Sequence, residues 1–568
     1  MPSDTPLKVV LCWHMHQPDY RDHIHGEFHL PWVYLHAIKD YVDMADHLEA
    51  VPEAKAVVNF SPVLLQQLQE YERQIEACLQ GIGPIRDPLL ATLDTPVFPA
   101  DIEHRLALIK TCLHANQKHQ IQRFDAYKRL ADIAALIMHD LNSSAYISNQ
   151  YLADLVTWYH LAWLGETVRR KDKRVKQLIE QGSGFTLHQR RILLQIIYEL
   201  LSTLRGRYTR LAEQGQVELS MSPHAHPMIP LLLHFEDAKD AQDDIHLPIL
   251  NAYPGGQQRA RWHIQHGLAI FEEYFGQTPS GCWPSEGGIS SAALQLFAEA
   301  GFRWVATGEN VLRNSITASS AQGDDAACIY TAFSVADSDL RLFARDDTLS
   351  DLIAFTYGDW HADDAVADLT QRLENIAAAQ HAEDSSIVSI IMDGENAWQY
   401  YPENGYYFLS ALYKRLAEHP QIQLSTYREL LDGQPIKLDK IVAGSWVFGT
   451  FSTWIGDADK NRAWDILGDV KRVYDDVCAN TEIDPPLQIK IDEQLAVCEG
   501  SDWFWWFGDY NPAETVRDFE QLFRIHIVNL YHMLGQEPPQ YLSQTLAHGS
   551  GSPKLGGVIR PGKANYST

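Results

Sequence analysis

Residues 385–398, SSIVSIIMDGENAW, set a run of β-branched and aliphatic side chains directly before two carboxylates, Asp393 and Glu395. A short apolar run of this kind reads as a buried strand. Residues two apart on an extended strand share a face, so the two carboxylates can project together from its end. Aromatic residues follow, through IMDGENAWQYYPENGYY at 391–407. Alone, Asp-Gly-Glu-Asn reads equally well as a hydrophilic turn that closes the strand.

Three other stretches share the design. LKVVLCWHMHQPDYRD at 7–22 ends a first strand on His14 and His16, and GQVELSMSPHAHPMIPLL at 215–232 supplies Glu218, His224 and His226. GCWPSEGGIS at 281–290 holds Glu286 between a Trp-Pro-Ser turn and two glycines, ahead of the helical pattern SSAALQLFAEAGF. Each lies where an apolar segment gives way to a loop, and in barrels chemistry gathers there. Taken singly, the histidines read as structural, and Ser285, Glu286 or Ser290 as capping the helix that follows. Taken together, two carboxyl groups in an aromatic setting suit glycosidic cleavage, one protonating the leaving oxygen and one attacking the anomeric carbon.

In their order, these segments resemble glycoside hydrolase family 57 from residue 9 to about 535, through WHMHQP, GQVELSMSPHAHP, WPSEGG and MDGENAWQYY. A fifth, more variable region looks like GSWVFGTFSTWIGDADKNRAW at 444–464, and SDWFWWFG at 501–508 also looks familiar. The resemblance implies a retaining enzyme acting on α-glucans such as starch, glycogen or maltodextrin. It makes Glu286 the nucleophile and Asp393 the general acid/base, with the charge of Glu286 raising the pKa of Asp393. His14, His16, Glu218, His224, His226, Trp283, Glu395, Trp398, Trp446, Trp454, Asp457 and Trp503 are the expected sugar-binding residues. Motifs three and four look most like the amylopullulanase and α-amylase branch, which implies cleavage of α-1,4 bonds with α-1,6 bonds as a further candidate; the Thr/Ala-Glu-Leu-Phe-Gly-His type sequence of branching enzymes is absent. A 4-α-glucanotransferase on the same site remains open. Further off stands a metal-dependent polysaccharide deacetylase, with His14 and His16 joined by Asp19 or Asp22 as ligands, and further still a non-catalytic sugar-binding protein.

The chain has 568 residues, enough for a large barrel with insertions and a helical companion. Strand-like runs at 7–13, 55–60, 216–221, about 281–283, 303–307, 340–344 or 351–356, and 386–392 alternate with helical patterns such as 262–275 and 291–300, as in parallel βα units. The fold class is α/β, and the resemblance implies an incomplete (β/α)7 barrel. The expected division is a catalytic barrel over 1–405 with a helical insertion at about 65–215, a mainly helical domain over 406–547, and a flexible tail over 548–568. Net charge of −28 argues against nucleic acid or an anionic membrane as partner and says little about a neutral glucan. Neither a signal-like start nor a membrane-length apolar run is present, and seven scattered cysteines without a CxxC pair suit reduced thiols. The expectation is a cytoplasmic protein with no required cofactor. Calcium occurs in relatives, but no DxDxDG loop supports a site.

Overall fold

The computed structural model describes residues 6–319, 329–335, 338–379 and 386–551. Ten strands form one sheet: β1 (Leu7–Met15), β2 (Ala56–Phe60), β3 (Val217–Met221), β4 (Gly281–Cys282), β5 (Trp304–Thr307), β6 (Phe333–Val335), β7 (Arg341–Ala344), β8 (Ile387–Asp393), β9 (Ile422–Leu424) and β10 (Ile436–Leu438). Seven of them run parallel in the order β7-β5-β4-β3-β2-β1-β8. The ends of this row meet at a single parallel bridge, Arg345 to Ser389, where Asp346 N–H donates to Ser389 O at 2.8 Å. The architecture is therefore an incomplete (β/α)7 barrel, closed at its β7/β8 seam by one bridge among the described residues.

The strand ends are shaped by local packing. At β4 the strand is two residues long, and a Cβ on Gly281 would lie 1.8 Å from the Trp304 ring. Only glycine lets that indole cross the strand. At the seam, the buried Arg345 guanidinium donates to Ile391 O, Asp347 and Asp351 at 2.6–2.8 Å, so the charge is fully partnered.

The strands expected at 7–13, 55–60, 216–221, 281–283, 303–307 and 386–392 are present, and of the two alternatives the sixth is 341–344. Residues 352–356 instead form a helical turn. Three short strands lay outside the sequence reading: β6, antiparallel to β7; β10, parallel to β6; and β9, on the first residues of β1. The helical patterns at 262–275 and 291–300 correspond to Gly256–Phe275 and Ser291–Glu299. Between β2 and β3 lies a helical region from Pro62–Leu79 to Leu187–Glu213, the last helix opened by a Thr186/Gln189 capping box. After β10 come helices Ala458–Asn480, Pro485–Cys498 and Ala513–Met533. Of the tail, residues 552–568 lie outside the described residues. Among the described residues no helix is long and apolar enough to cross a membrane.

Candidate active site

Register brings the chemistry together. His14 on β1 is paired with Asn59 on β2 and Asp393 on β8, so three polar residues stand side by side at the C-terminal rim. His14 and Asn59 are buried, and Asp393 is half-buried. A parallel barrel turns this rim toward its loops, which supply the rest.

Glu286 enters from the loop after β4 in the left-handed region, at φ 59° and ψ 22°, and Gly287 repeats that φ. A Cβ on Gly287 would meet the Trp283 ring at 2.8 Å, so the glycine is required twice over. The turn is clamped from the other side by the fifth motif region. Ile289 and Gly444 exchange backbone hydrogen bonds, and Trp446 N–H donates to Glu286 O at 3.0 Å. The side chain is held as well: Ser501 Oγ donates to Oε1 at 3.0 Å and Trp446 Nε1 to Oε2 at 3.1 Å. Ser290 caps the following helix, accepting from Ala293 N–H, so the capping role falls to Ser290 and leaves Glu286 free for the cleft.

Asp393 ends β8 and accepts from Asn396 Nδ2 at 2.9 Å. Burial pushes its carboxyl up to about 6 against the pull of Asn396, His16 and Arg345. Burial, reinforced by the charges of Asp502 and Asp393, pushes Glu286 up to about 8. The expected rise at Asp393 is present with burial as its cause, and the repulsion between the carboxylates falls on Glu286. Two like charges that repel each other titrate as a unit and hold one proton between them near neutrality. Taken site by site that proton would sit on Glu286. The hydrogen bonds argue for Asp393, because donors fill both Glu286 oxygens and favour the carboxylate there.

The histidines surround this pair. The His16 and His226 rings stack with centroids 3.9 Å apart and planes 20° apart. His16 Nε2 lies 2.8 Å from Asp502 Oδ1 and its Nδ1 2.8 Å from Ser61 Oγ. His226 Nδ1 lies 3.0 Å from Ser501 Oγ, and its Nε2 is 3.1 Å from His14 Nε2. Glu395, also buried, accepts from Gln17 Nε2 at 2.8 Å and from His16 N–H at 3.3 Å.

Among the described residues, His16, His226 and Asp502 are the ligand-type group whose donor atoms converge, all within 4.8 Å of one another. Their geometry suits hydrogen bonding better than an ion. Ring-nitrogen lone pairs lie in the ring plane, so two stacked imidazoles cannot both aim at one cation. The ligand set expected for a deacetylase is not assembled: Asp19 pairs with Arg21 and His23, and Asp22 with His25.

Several expected sugar-binding residues stand elsewhere. Glu218 sits near the start of β3, at the opposite end of the barrel, accepting from Ser280, Trp304 Nε1 and Arg428 N–H. The motif placed it by sequence, but period and strand length put it in the floor. His224 packs against Trp262, His263 and His266. Trp398 is buried with its indole donating to Gly394 O, and Trp503 likewise donates to Val497 O. Trp454 is fully buried. Asp457 caps helix Ala458–Asn480. Trp283 is also buried, edge-on to Trp446 and 6.5 Å from His14. The indoles thus mainly build the core beneath the site, and SDWFWWFG contributes through Ser501 and Asp502 rather than through a tryptophan. Missed altogether were Asn59, Ser61, Gln17 and Asn396. For Asn59 and Ser61 the signal was there: VVNFSP repeats the strand-to-polar transition of the other motifs.

The fold is that of a (β/α) barrel protein with two interacting carboxyls, Glu286 and Asp393, at its C-terminal end. The family model for glycosyl hydrolase family 57 matches residues 10–440, and the chain belongs to that family. Solved structures share the fold over most of the chain. A family-57 branching enzyme from Thermococcus kodakaraensis aligns at TM-score 0.58 and 14% identity, covering 93% of this chain and 90% of that one. An α-amylase from Thermotoga maritima aligns at 0.54 and 13%, covering 95% and 96%. A 4-α-glucanotransferase from Thermococcus litoralis aligns at 0.51 and 13%, covering 93% of this chain and 60% of that one. No curated protein matches the chain.

Proposed function

We propose that the protein is a retaining glycoside hydrolase of α-glucans, cleaving α-1,4 glucosidic bonds, with α-1,6 bonds as a further candidate, and with Glu286 as nucleophile and Asp393 as general acid/base. The observation that carries this reading is the unequal setting of the two carboxyls: both oxygens of Glu286 accept hydrogen bonds, whereas Asp393 accepts one. Ionised Glu286 attacks the anomeric carbon as the glycosidic bond breaks, and the Asp393 proton goes to the departing oxygen. Asp393, now a carboxylate, takes a proton from water. That water's oxygen displaces Glu286 from the sugar and restores both groups. Two inversions return the α configuration. His14, His16, His226 and Glu395 border the reacting centre and are the side chains best placed to meet sugar hydroxyls.

A glucanotransferase differs only in the acceptor, a sugar hydroxyl in place of water. The names of the neighbouring structures, spanning branching enzyme, amylase and glucanotransferase, keep that second reading in view. Incubation with maltoheptaose, and separately with pullulan, distinguishes them: shorter products with new reducing ends support the hydrolase, and longer products at a constant reducing-end count support the transferase. No change in either glucan refutes both. The net charge of −28 suits a neutral substrate rather than nucleic acid, and the six described cysteines, all free thiols, suit a reducing compartment such as the cytoplasm.

A further inference from the structure

We propose that Asn59 is a positioning residue that sets the direction of a hydrogen-bonded chain, Asn59–His14–His226–Ser501–Glu286, so that it delivers a donated proton to the nucleophile. The proposal rests on the roles assigned above to Glu286 and Asp393.

The chain runs without a gap. One edge of the Asn59 amide lies 2.7 Å from His14 Nδ1; His14 Nε2 lies 3.1 Å from His226 Nε2; His226 Nδ1 lies 3.0 Å from Ser501 Oγ; and Ser501 Oγ lies 3.0 Å from Glu286 Oε1. Each intermediate group has one proton to give when neutral and one lone pair with which to accept. The polarity of the first link therefore fixes all the others. If Asn59 donates to His14 Nδ1, the proton of neutral His14 is on Nε2 and points at His226. The proton of His226 is then on Nδ1 and points at Ser501, whose own proton points at ionised Glu286. If Asn59 instead accepts, every proton reverses, and Ser501 can be satisfied only by a protonated Glu286 or an imidazolium.

A neighbour outside the chain decides between them. Heavy-atom positions do not tell an amide oxygen from its nitrogen, but its partners do. The edge of Asn59 that faces His14 also lies 3.0 Å from Ser222 Oγ, and Ser222 lies 2.8 Å from Trp283 O. Ser222 has a single proton, and the Trp283 carbonyl can only accept. Ser222 must then accept from Asn59, which places the NH2 group on the edge shared by Ser222 and His14. The amide is therefore turned over from the orientation in which Nδ2 donates to Ser220 Oγ at 3.1 Å, and the edge facing Ser220 becomes the carbonyl that accepts from that hydroxyl. Asn59, Ser220, Ser222 and Ser501 are fully buried, so no water competes for these protons. His14, pushed down to about 3 by burial and His16, and His226, also pushed down, are neutral at working pH, as the directional chain requires. The titratable groups facing the chain are Asp393 beside His14, His16 against both rings, Asp502 on His16, and Glu286 at its end.

A joint X-ray and neutron structure of the whole protein reads this directly, whatever the substrate. Deuterium is expected on His14 Nε2 and His226 Nδ1; deuterium on His14 Nδ1 with none on Nε2 would overturn the proposal. Asn59→Asp then tests the consequence. Aspartate can only accept, so neutral His14 must turn its proton away from His226 and Ser501 must turn away from Glu286. The variant keeps the correct polarity only while the histidines hold an extra proton. Its alkaline limb of kcat/KM on maltoheptaose should move at least one pH unit below that of the parent protein, while Asn59→Ala, which imposes no direction, lowers activity without moving the limb. Superimposable profiles for the parent and Asn59→Asp would refute the assignment. Failure of the parent protein to cleave any α-glucan refutes the proposed function and leaves the neutron result to judge the chain.

Discussion

At φ 59°, Glu286 occupies a backbone region that costs a residue with a Cβ on the order of 1–2 kcal/mol, and the surrounding structure holds it there through Trp446 on both its backbone and its carboxylate. Strain maintained by that many contacts is expected where side-chain direction matters. Glu286→Gln and Asp393→Asn should each lower kcat/KM on maltoheptaose by about 10³-fold or more with circular dichroism unchanged; near-parental turnover in either refutes its role. With the pair holding one proton between about 6 and about 8, the parent profile should be bell-shaped with limbs near those values. Stability follows the same protons. The step raised to about 8 belongs to the coupled pair, so the native state holds a proton that the unfolded carboxyls release near 4.5, and stability is lost as pH rises from about 4.5 toward 8. Glu286→Gln removes that loss, and its Tm should exceed the parent's by a margin that widens between pH 4 and pH 8. Of this site, Glu286, Asp393, Glu395, His14, His16, His226 and Trp446 were legible from their motifs. Glu218, His224, Trp398, Trp454, Asp457 and Trp503 lie outside this cluster, because a motif records which residues recur near a site and not which end of a strand or face of a helix they occupy. Ser501 and Asp502 were hidden behind the tryptophans beside them.

Among the elements, the helix Ser501–Trp506 that delivers Ser501 and Asp502 hangs from a buried ionic knot two residues before its start. Glu499 accepts from Arg259, from Tyr253 OH at 2.6 Å, and lies 2.7 Å from His263 Nε2. Arg259 and His263 hold it down to about 2 despite full burial. A depressed carboxyl stabilises above its unfolded value of 4.5, and that stability disappears as pH falls toward 2. Glu499→Gln should cost about 3–5 kcal/mol at pH 7 by leaving Arg259 uncompensated, and should flatten the acid limb of Tm against pH; an unchanged acid limb refutes the account. Gly281→Ala forces a methyl into the Trp304 ring and should destabilise by about 1–3 kcal/mol or more in urea unfolding. The long strands were readable because their aliphatic runs are continuous and each ends in a turn. The three-residue β6, β9 and β10 were not, since pairing with neighbours already in place, and not their own composition, makes them strands.

Across the whole molecule, seven parallel strands bring residues as distant in sequence as His14, Asn59, His226, Glu286, Asp393 and Ser501 to one rim, and helices after residue 440 close the side of the cleft from which Trp446, Ser501 and Asp502 reach in. The aromatic richness of the sequence serves this scaffold first: Trp13, Trp158, Trp283, Trp304, Trp398, Trp454, Trp464 and Trp503 are all fully buried. The central claim is that Glu286 forms a bond to the sugar. An α-glucosyl fluoride bearing a second fluorine at C5 forms such an intermediate and slows its breakdown. Digestion and mass spectrometry of the treated protein should find one added glycosyl group on the peptide containing WPSEGG, at Glu286, and none in the Glu286→Gln variant. A label on another carboxylate, or an active enzyme that accumulates none, would contradict the account.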